Sequence, residues 1–233
     1  MKTITTAAIA AMMFAAGANA EFINVQFTGT GQGKSVRVSN FGNQMDVFAG
    51  QLKHTLSGGT GDAAAFNGNY LTFCSDLYQF VTSSTKTYEI VPIDQIPGAS
   101  PMGLPRAWAV QSLFDGFGNQ ALASNADSNL AAAFQIAVWE IVTDYSGSAA
   151  SMDITAGNFT AKKTNNNALD PAMGAHLSNM FAAAMMPATN SIVLGGLSSG
   201  KYQDQIVAGL SVPAPGPVAL AGVAGLLACR RKR

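Results

Sequence analysis

The sequence predicts an α+β fold, in which an antiparallel β-sheet or sandwich carries an inserted helical subdomain. Strand-like runs dominate residues 21–91, where β-branched and aromatic residues alternate with polar ones between glycine-rich stretches. Over residues 105–186 the apolar period changes to that of helices, and short strand-like runs return near residues 191–207. A sheet that is interrupted by helices follows from this order.

The strand predictions rest on short apolar runs between turn residues. The glycine-rich stretch 29–33 predicts a turn between the first two strands. The predicted strands are 22–27 (FINVQF), 35–38 (SVRV), 70–74 (YLTFC), 88–91 (YEIV), 191–194 (SIVL) and 205–207 (QIV).

The first and third helices are predicted from their terminal residues. Pro105 can open the first helix, and Gly116 is expected to end it. Asp170 stands before Pro171, an order typical of a cap followed by proline in the first turn, and it predicts a helix that continues to Ala184.

The second helix has the clearest pattern, because apolar residues recur at the spacing of one buried face. Asp127 or Asn125 can cap its start. Gln135 and Trp139 are four residues apart, so they are expected on one side of the helix, at the edge of the buried face. The apolar positions are Leu130, Ala133, Phe134, Ala137, Val138 and Ile141.

Residues 1–20 have the organisation of a signal peptide. Lys2 supplies a positive start, residues 9–16 are apolar, and residues 18–20 (ANA) form a small-residue cleavage site. We therefore expect export, processing by signal peptidase, and a mature chain that begins at Glu21.

Residues 211–233 have the organisation of a second sorting signal, which follows a domain that spans residues 21–210. A proline-rich segment precedes an apolar run at 218–227 and four cations at 230–233. This order resembles the PEP-CTERM sorting signals of Gram-negative bacteria, which exosortase-type enzymes process, although Ala214 stands where Glu is usual. The apolar run is shorter than the roughly 20 residues of a spanning helix, which favours transient membrane retention, and the cations should stay cytoplasmic. The sorting motif is Val212, Pro213, Ala214 and Pro215.

Composition narrows the possible partners. Only 11% of residues are charged and the net charge is zero, so the chain lacks the basic surface that nucleic-acid binding requires. The chain has two cysteines, and Cys229 lies in the sorting tail. Cys74 should therefore be the one thiol of the processed protein, in an oxidising compartment where a lone cysteine usually has a role.

The surroundings of this cysteine resemble a known family. Residues 70–77 (YLTFCSDL) are followed by a helix that contains residues 133–141 (AFQIAVWEI). These segments resemble the bacterial thioester domains, whose signatures are an aromatic-Cys segment and a Gln-x-Ala-apolar-Trp segment. The resemblance covers about residues 70–144, and Phe134 stands where adhesins of Gram-positive bacteria often have Thr.

The resemblance implies an internal thioester between Cys74 and Gln135, formed with loss of ammonia. Phe73, Phe134 and Trp139 would then shield the bond from water. Well-oriented intramolecular groups can reach effective molarities of about 10⁵ to 10⁸ M, which is the scale of help that an amide acyl donor needs. The stored acyl group would be attacked once by an amine or hydroxyl on a protein or polysaccharide of the cell surface or matrix. The expected function is thus single-turnover adhesion without a cofactor, rather than enzymatic turnover.

Other chemistries have weaker support in the sequence. A cysteine hydrolase would need His54 or His176 as a base, but neither lies in a recognisable motif, and His54 falls in the polar stretch 51–58. Residues 29–35 (GTGQGKS) approach a phosphate-binding loop but have Thr28 where the motif needs glycine. A turn is the better interpretation of that segment.

No metal site is predicted. Asp153, Asp170 and the asparagines at 165–167 do not have EF-hand or zinc-ligand spacing. The alternative to the thioester is a non-reactive exported structural or carbohydrate-binding β-rich domain, in which Cys74 is a buried hydrophobic residue.

Overall fold

The computed structural model, which describes residues 20–211, confirms the predicted α+β class. Three α-helices and three short 3₁₀ turns accompany seven strands. The helices are α1 (Gly103–Ala121), α2 (Ser128–Asp144) and α3 (Pro171–Ala184). The strands are β1 (Glu21–Asn40), β2 (Asn43–Ser57), β3 (Gly68–Cys74), β4 (Lys86–Val91), β5 (Phe159–Lys162), β6 (Leu194–Ser198) and β7 (Gln205–Ala208).

The strands form one antiparallel sheet in the order β2-β3-β7-β6-β4-β1-β5. Because β1 also pairs with β2, the first six strands of this order close into a ring. Strand β5 pairs with the far end of β1, from Arg37 to Asn40. All three helices lie between β4 and β6 in the chain, as the predicted inserted subdomain requires.

The predicted turn at residues 29–33 is wrong, because β1 runs through it as one strand with two register shifts. These glycines instead allow the backbones of β1 and β2 to approach each other closely. A Cβ on Gly33 would lie 2.3 Å from the carbonyl oxygen of Ala49 in β2. The hairpin turn comes later, at Phe41 and Gly42, whose φ angles of 48° and 81° are those of a type I′ turn.

The limits of the helices agree with the sequence predictions to within two residues, except at one glycine. Helix α1 continues past Gly116 to Ala121, so the predicted stop is wrong. Gly116 instead permits close packing on α3, since a Cβ there would lie 3.2 Å from the Cβ of Ala183. Asp170 precedes α3 and Pro171 begins it, as predicted, but the Asp170 carboxylate makes an ion pair with Lys163 rather than a cap bond.

Helix α2 is central, and its Asp127 cap is confirmed by hydrogen bonds from the amides of Asn129 and Leu130. Every residue from Leu130 to Ile141 is buried. Gln135 is 1% exposed, so its predicted place at the edge of a buried face is wrong. A helix that is packed on all sides has no polar face, and α2 packs against α1, α3, β1 and β2.

Two apolar clusters form the core. One is built by the strands, the 3₁₀ turn Gly61–Phe66 and Leu210, which follows β7. The larger one joins the three helices to the sheet and contains Cys74.

Several elements depart from the sequence predictions. Strands β2 and β5 were not predicted, and the run at 191–194 enters the sheet only at Leu194. The signal-peptide and sorting-tail predictions lie outside the described residues. Within residues 20–211, no helix is both long and apolar enough to cross a bilayer.

Candidate functional site

The site lies where the end of β3 meets the middle of α2. The Gln135 carboxamide makes two hydrogen bonds to the main chain of Cys74. The Cys74 amide donates to Gln135 Oε1 at 2.9 Å, and Gln135 Nε2 donates to the Cys74 carbonyl oxygen at 2.8 Å. The carboxamide is therefore held within one residue of the thiol, although 61 positions separate the two residues in the chain.

The sheet leaves room for this contact. Strands β2 and β3 pair for the last time at Leu52 and Thr72, so the main chain of Cys74 lies beyond the end of that ladder. The Gln135 carboxamide continues the ladder with one donor and one acceptor. Both residues are buried, with Cys74 2% and Gln135 1% exposed, and unpaired main-chain groups at such a place would be costly.

The thiol has two polar neighbours. Cys74 Sγ donates to the Asp76 carbonyl oxygen at 2.5 Å, and Trp139 Nε1 donates to Sγ at 3.3 Å. Burial raises the pKa of the Cys74 thiol well above its usual range, and the nearby Asp76 carboxylate adds to the rise, while the Trp139 hydrogen bond opposes it. The thiol is thus kept protonated and away from solvent oxidants.

A cavity of about 260 Å³ reaches this pair. Cys74, Gln135 and Trp139 form part of its wall, and Phe80, which is 73% exposed, also lines it. The remaining wall is mainly apolar and comes from β1, β2 and the segment after β3: Phe27, Val47, Phe48, Leu52, Leu77 and Val81. A small nucleophile would therefore approach Cys74 and Gln135 through an apolar passage.

The residues predicted to shield the site lie in two places. Trp139 contacts the sulfur directly. Phe73 and Phe134 are fully buried and pack on each other with ring centroids 4.6 Å apart, and Phe114 completes the cluster at 6.2 and 4.8 Å. Phe73 and Phe134 directly precede Cys74 and Gln135 in the chain, so their packing fixes the main chain at both residues. None of the three phenylalanines lines the cavity.

Two buried aspartates, Asp76 and Asp204, hold the segment after Cys74 in place through hydrogen bonds, and neither was predicted as a site residue. The Asp76 carboxylate accepts hydrogen bonds from the amides of Tyr78, Gln79 and Asp204 at 3.0 Å each. Asp204 in turn accepts from the amides of Gly98 and Ser199, and burial raises its pKa to about 6. Nothing in the local sequence pairs Asp76 with a residue so distant in the chain.

The histidines do not form a catalytic pair with the cysteine. His54, in the polar stretch 51–58, is buried in β2, and its Nδ1 lies 3.0 Å from Thr72 Oγ1. Burial lowers its pKa to about 4. His176 lies on α3, and within residues 20–211 neither histidine has a hydrogen bond to Cys74. Among the described residues, no group of three or more His, Cys, Asp or Glu side chains could hold a metal ion.

Glu140 follows Trp139 and is fully buried. Its Oε1 accepts a hydrogen bond from the Asp153 amide at 2.7 Å, and its Oε2 has no partner within the described part of the chain. Burial raises the pKa of Glu140 to about 8, with smaller contributions from the charges of Asp144 and Asp153. The Glu140 carboxyl group is therefore mostly protonated near pH 7.

Comparisons of this chain with protein-family models, curated proteins and solved structures found no match. Cys74, Gln135 and the groups that surround them are therefore the features that indicate a function.

Proposed function

We propose that the protein is an exported surface or matrix protein that binds a nucleophile covalently, once, through an internal thioester between Cys74 and Gln135. One observation carries this proposal. The Gln135 carboxamide is hydrogen-bonded at both ends to the main chain of the residue that bears the thiol. Such anchoring provides the proximity that an unreactive amide needs in order to act as an acyl donor.

Formation of the bond is an acyl transfer. Cys74 Sγ attacks the side-chain carbonyl carbon of Gln135, so that a carbon–sulfur bond forms and the carbon–nitrogen bond breaks. The nitrogen leaves as ammonia and carries the proton that the thiol has lost. Formation of the thioester therefore consumes no oxidant and needs no metal or cofactor.

Two hydrogen bonds suit the charges that develop in this reaction. The Cys74 amide already donates to Gln135 Oε1, the oxygen that becomes negative in a tetrahedral intermediate, and a fixed donor at that atom lowers the barrier. Trp139 Nε1 donates to the sulfur, so it can stabilise a thiolate both when the bond forms and when it opens.

A nucleophile on a partner would attack the carbonyl carbon of the thioester, and the Cys74 sulfur would leave. An amine would leave an amide at Gln135, and a hydroxyl would leave an ester, with a free Cys74 thiol in either case. The low exposure of both residues protects the bond from water, and the apolar cavity favours a nucleophile on a chain that can reach inside. The product is a permanent attachment, which fits adhesion to protein or polysaccharide.

The proposal extends to sorting. Signal peptidase would release the chain at Glu21, and an exosortase-type enzyme would act on the tail that begins at Val212. The protein would then lie on the surface or in the extracellular matrix of a Gram-negative bacterium, after transient retention at the membrane.

The competing function is a non-reactive structural or binding domain. In that case, the Gln135 carboxamide only satisfies the main chain of Cys74, and the thiol is a buried apolar group. The two functions differ in whether Cys74 carries a free thiol.

Thiol labelling distinguishes the two functions. A maleimide should label native protein poorly, and after treatment with methylamine followed by unfolding it should label one thiol per processed chain, because aminolysis releases Cys74 and unfolding exposes it. Burial alone could also slow labelling, so a matched sample should be unfolded in guanidinium before the maleimide is added. Full labelling of the unfolded, amine-free sample would contradict the proposal, since a thioester persists through brief unfolding whereas a merely buried thiol becomes accessible.

A further inference from the structure

An exposed apolar face surrounds Trp108. Trp108 is 61% exposed and lines two neighbouring grooves, with volumes of about 550 and 360 Å³. Five of the nine large apolar side chains that are exposed within residues 20–211 line these grooves, and we call them the Trp108 face: Leu104, Trp108, Met185, Met186 and Val193. Exposed apolar side chains are normally scattered singly, and a group of this size marks an interaction surface.

Helix α1 holds the Trp108 face in place. It supplies two of the five side chains, which are four residues apart and therefore lie on one side of the helix. Ser112 Oγ donates to the Met186 carbonyl oxygen at 2.7 Å, and Gln111 Nε2 donates to the Ile192 carbonyl oxygen at 2.8 Å. The main chain at Met186 and directly before Val193 is therefore fixed to α1, so the exposed side chains belong to one preformed surface.

The walls of the two grooves are nearly free of charge. Among the described residues that line them, Asp94 is the only one with a charged side chain. Gln111 and Ser112 also line them, but both already donate to main-chain carbonyl oxygens. A specific protein partner makes about one hydrogen bond per 100–200 Å² of interface, whereas hydrocarbon requires only apolar contact. The face therefore suits a lipid surface, and tryptophan is typical of residues at the membrane–water interface.

The described chain ends at this face. The Gly209 amide donates to the Val193 carbonyl oxygen at 2.8 Å, and Ser211 lines one groove together with Trp108. Val218, where the apolar run of the predicted sorting tail begins, is the seventh residue after Ser211. Seven residues span at most about 25 Å. A bilayer that retains the tail is therefore always within reach of the face, and such a short tether gives even a weak contact a high effective concentration.

We propose that the Trp108 face rests on the lipid bilayer that retains the sorting tail. The five side chains would lie in the interfacial layer, at the boundary between headgroups and acyl chains. This inference rests on the proposed retention of the tail at a membrane, but it does not depend on the thioester. Cys74 and Gln135 line neither groove, so they are not part of the membrane contact.

Quenching of tryptophan fluorescence by brominated lipid tests this proposal. Residues 21–233, with the tail intact, are mixed with phosphatidylcholine vesicles that carry bromine on the upper part of the acyl chains. The chain has two tryptophans, and Trp139 is only 3% exposed, so the quenching should come from Trp108. The parent should float with the vesicles and be quenched, whereas Trp108→Phe should float without quenching.

The failures of the two proposals are distinguishable. A parent that floats without quenching would overturn the contact of the face and leave retention of the tail intact. A parent that does not float would overturn retention, and the contact with it. Quenching that persists in Trp108→Phe would place the contact elsewhere and overturn the assignment. A dimer that shields Trp108 from brominated lipid would also overturn it, because a second copy would then cover the face.

A double variant tests the rest of the face while keeping Trp108 as the reporter. Leu104 and Met186 are 53% and 64% exposed, so Leu104→Gln with Met186→Gln should leave the melting temperature unchanged. Quenching should fall by about half or more, because each lost apolar contact weakens the association. Phe41→Asn is the matched control. Phe41 is 57% exposed, lines neither groove, and has a φ of 48° that suits Asn, so its variant should be quenched like the parent. Equal quenching in the double variant and the control would contradict the proposal.

Discussion

The variant Gln135→Ala is expected to carry a free Cys74 thiol and to form no adduct with methylamine. The variant lacks the acyl group, so its processed chain should have the full mass that its sequence specifies, without the loss of one ammonia. Alanine favours helix, but the buried Cys74 amide and carbonyl lose their partners, and each such loss costs about 1–3 kcal/mol. Intact mass and maleimide labelling of the purified variant measure the outcome.

Gln51→Ala is the matched control for this destabilisation. Gln51 is also buried, and its Nε2 donates to the carbonyl oxygens of Ala121 and Ala123. Its removal should lower the free energy of unfolding by a similar amount and leave the ammonia deficit unchanged. Methylamine adducts on Gln135→Ala, or loss of the deficit in Gln51→Ala at equal folding, would place the acyl group elsewhere.

Glu140→Gln should remove a large part of the pH dependence of stability. The pKa of Glu140 is about 8 in the folded protein and near 4.3 in an unfolded chain. Between these values the folded state retains a proton that the unfolded state has lost, so the free energy of unfolding falls as the pH rises. Below about pH 4 both states are protonated, and the group contributes no pH dependence.

The expected difference is about 4 kcal/mol between pH 5 and pH 9. Denaturant unfolding at both pH values should show that the parent loses this much more stability than Glu140→Gln. The parent-minus-variant difference cancels the contributions of Asp204 and His54, which are common to both proteins. Glu89→Gln, on β4 and partly exposed, controls for the loss of one carboxylate, and an identical pH response in Glu140→Gln and Glu89→Gln would contradict the buried neutral carboxyl.

Elements with strong local signals could be predicted from the sequence. Asp127 caps α2 and Pro171 begins α3, because capping depends on residues within one turn of each other. The strands that end at Cys74 and Val91 were also predicted, since their apolar and aromatic runs are short and bounded by turn residues.

The glycines and the polar strand residues could not be interpreted without the tertiary structure. The sequence predicts a turn at Gly33 and a helix end at Gly116, but each of these glycines allows another element to pack closely. Strand β2 was missed because polar residues such as Gln51 and His54 are buried in it and are satisfied by partners far along the chain. A local pattern contains no information about such partners.

The candidate site also combines features with a local sequence signal and features that depend on the tertiary structure. The sequence predicts a bond between Cys74 and Gln135, and the Gln135 carboxamide is hydrogen-bonded to the main chain of Cys74, whereas the hydrogen bond between Asp76 and Asp204 joins residues that are far apart in the chain. The turn at Phe41 could not be recognised either, because the glycines at 29–33 predict a turn earlier in the chain.

The intact mass of the processed native protein, measured in denaturing solvent without added amine, tests the thioester most directly. The account predicts a mass lower than that of the sequence by one ammonia, and an increase by one methylamine after treatment with that amine, with tandem fragmentation placing the added group on Gln135. A mass equal to that of the sequence, unchanged by methylamine, would contradict it.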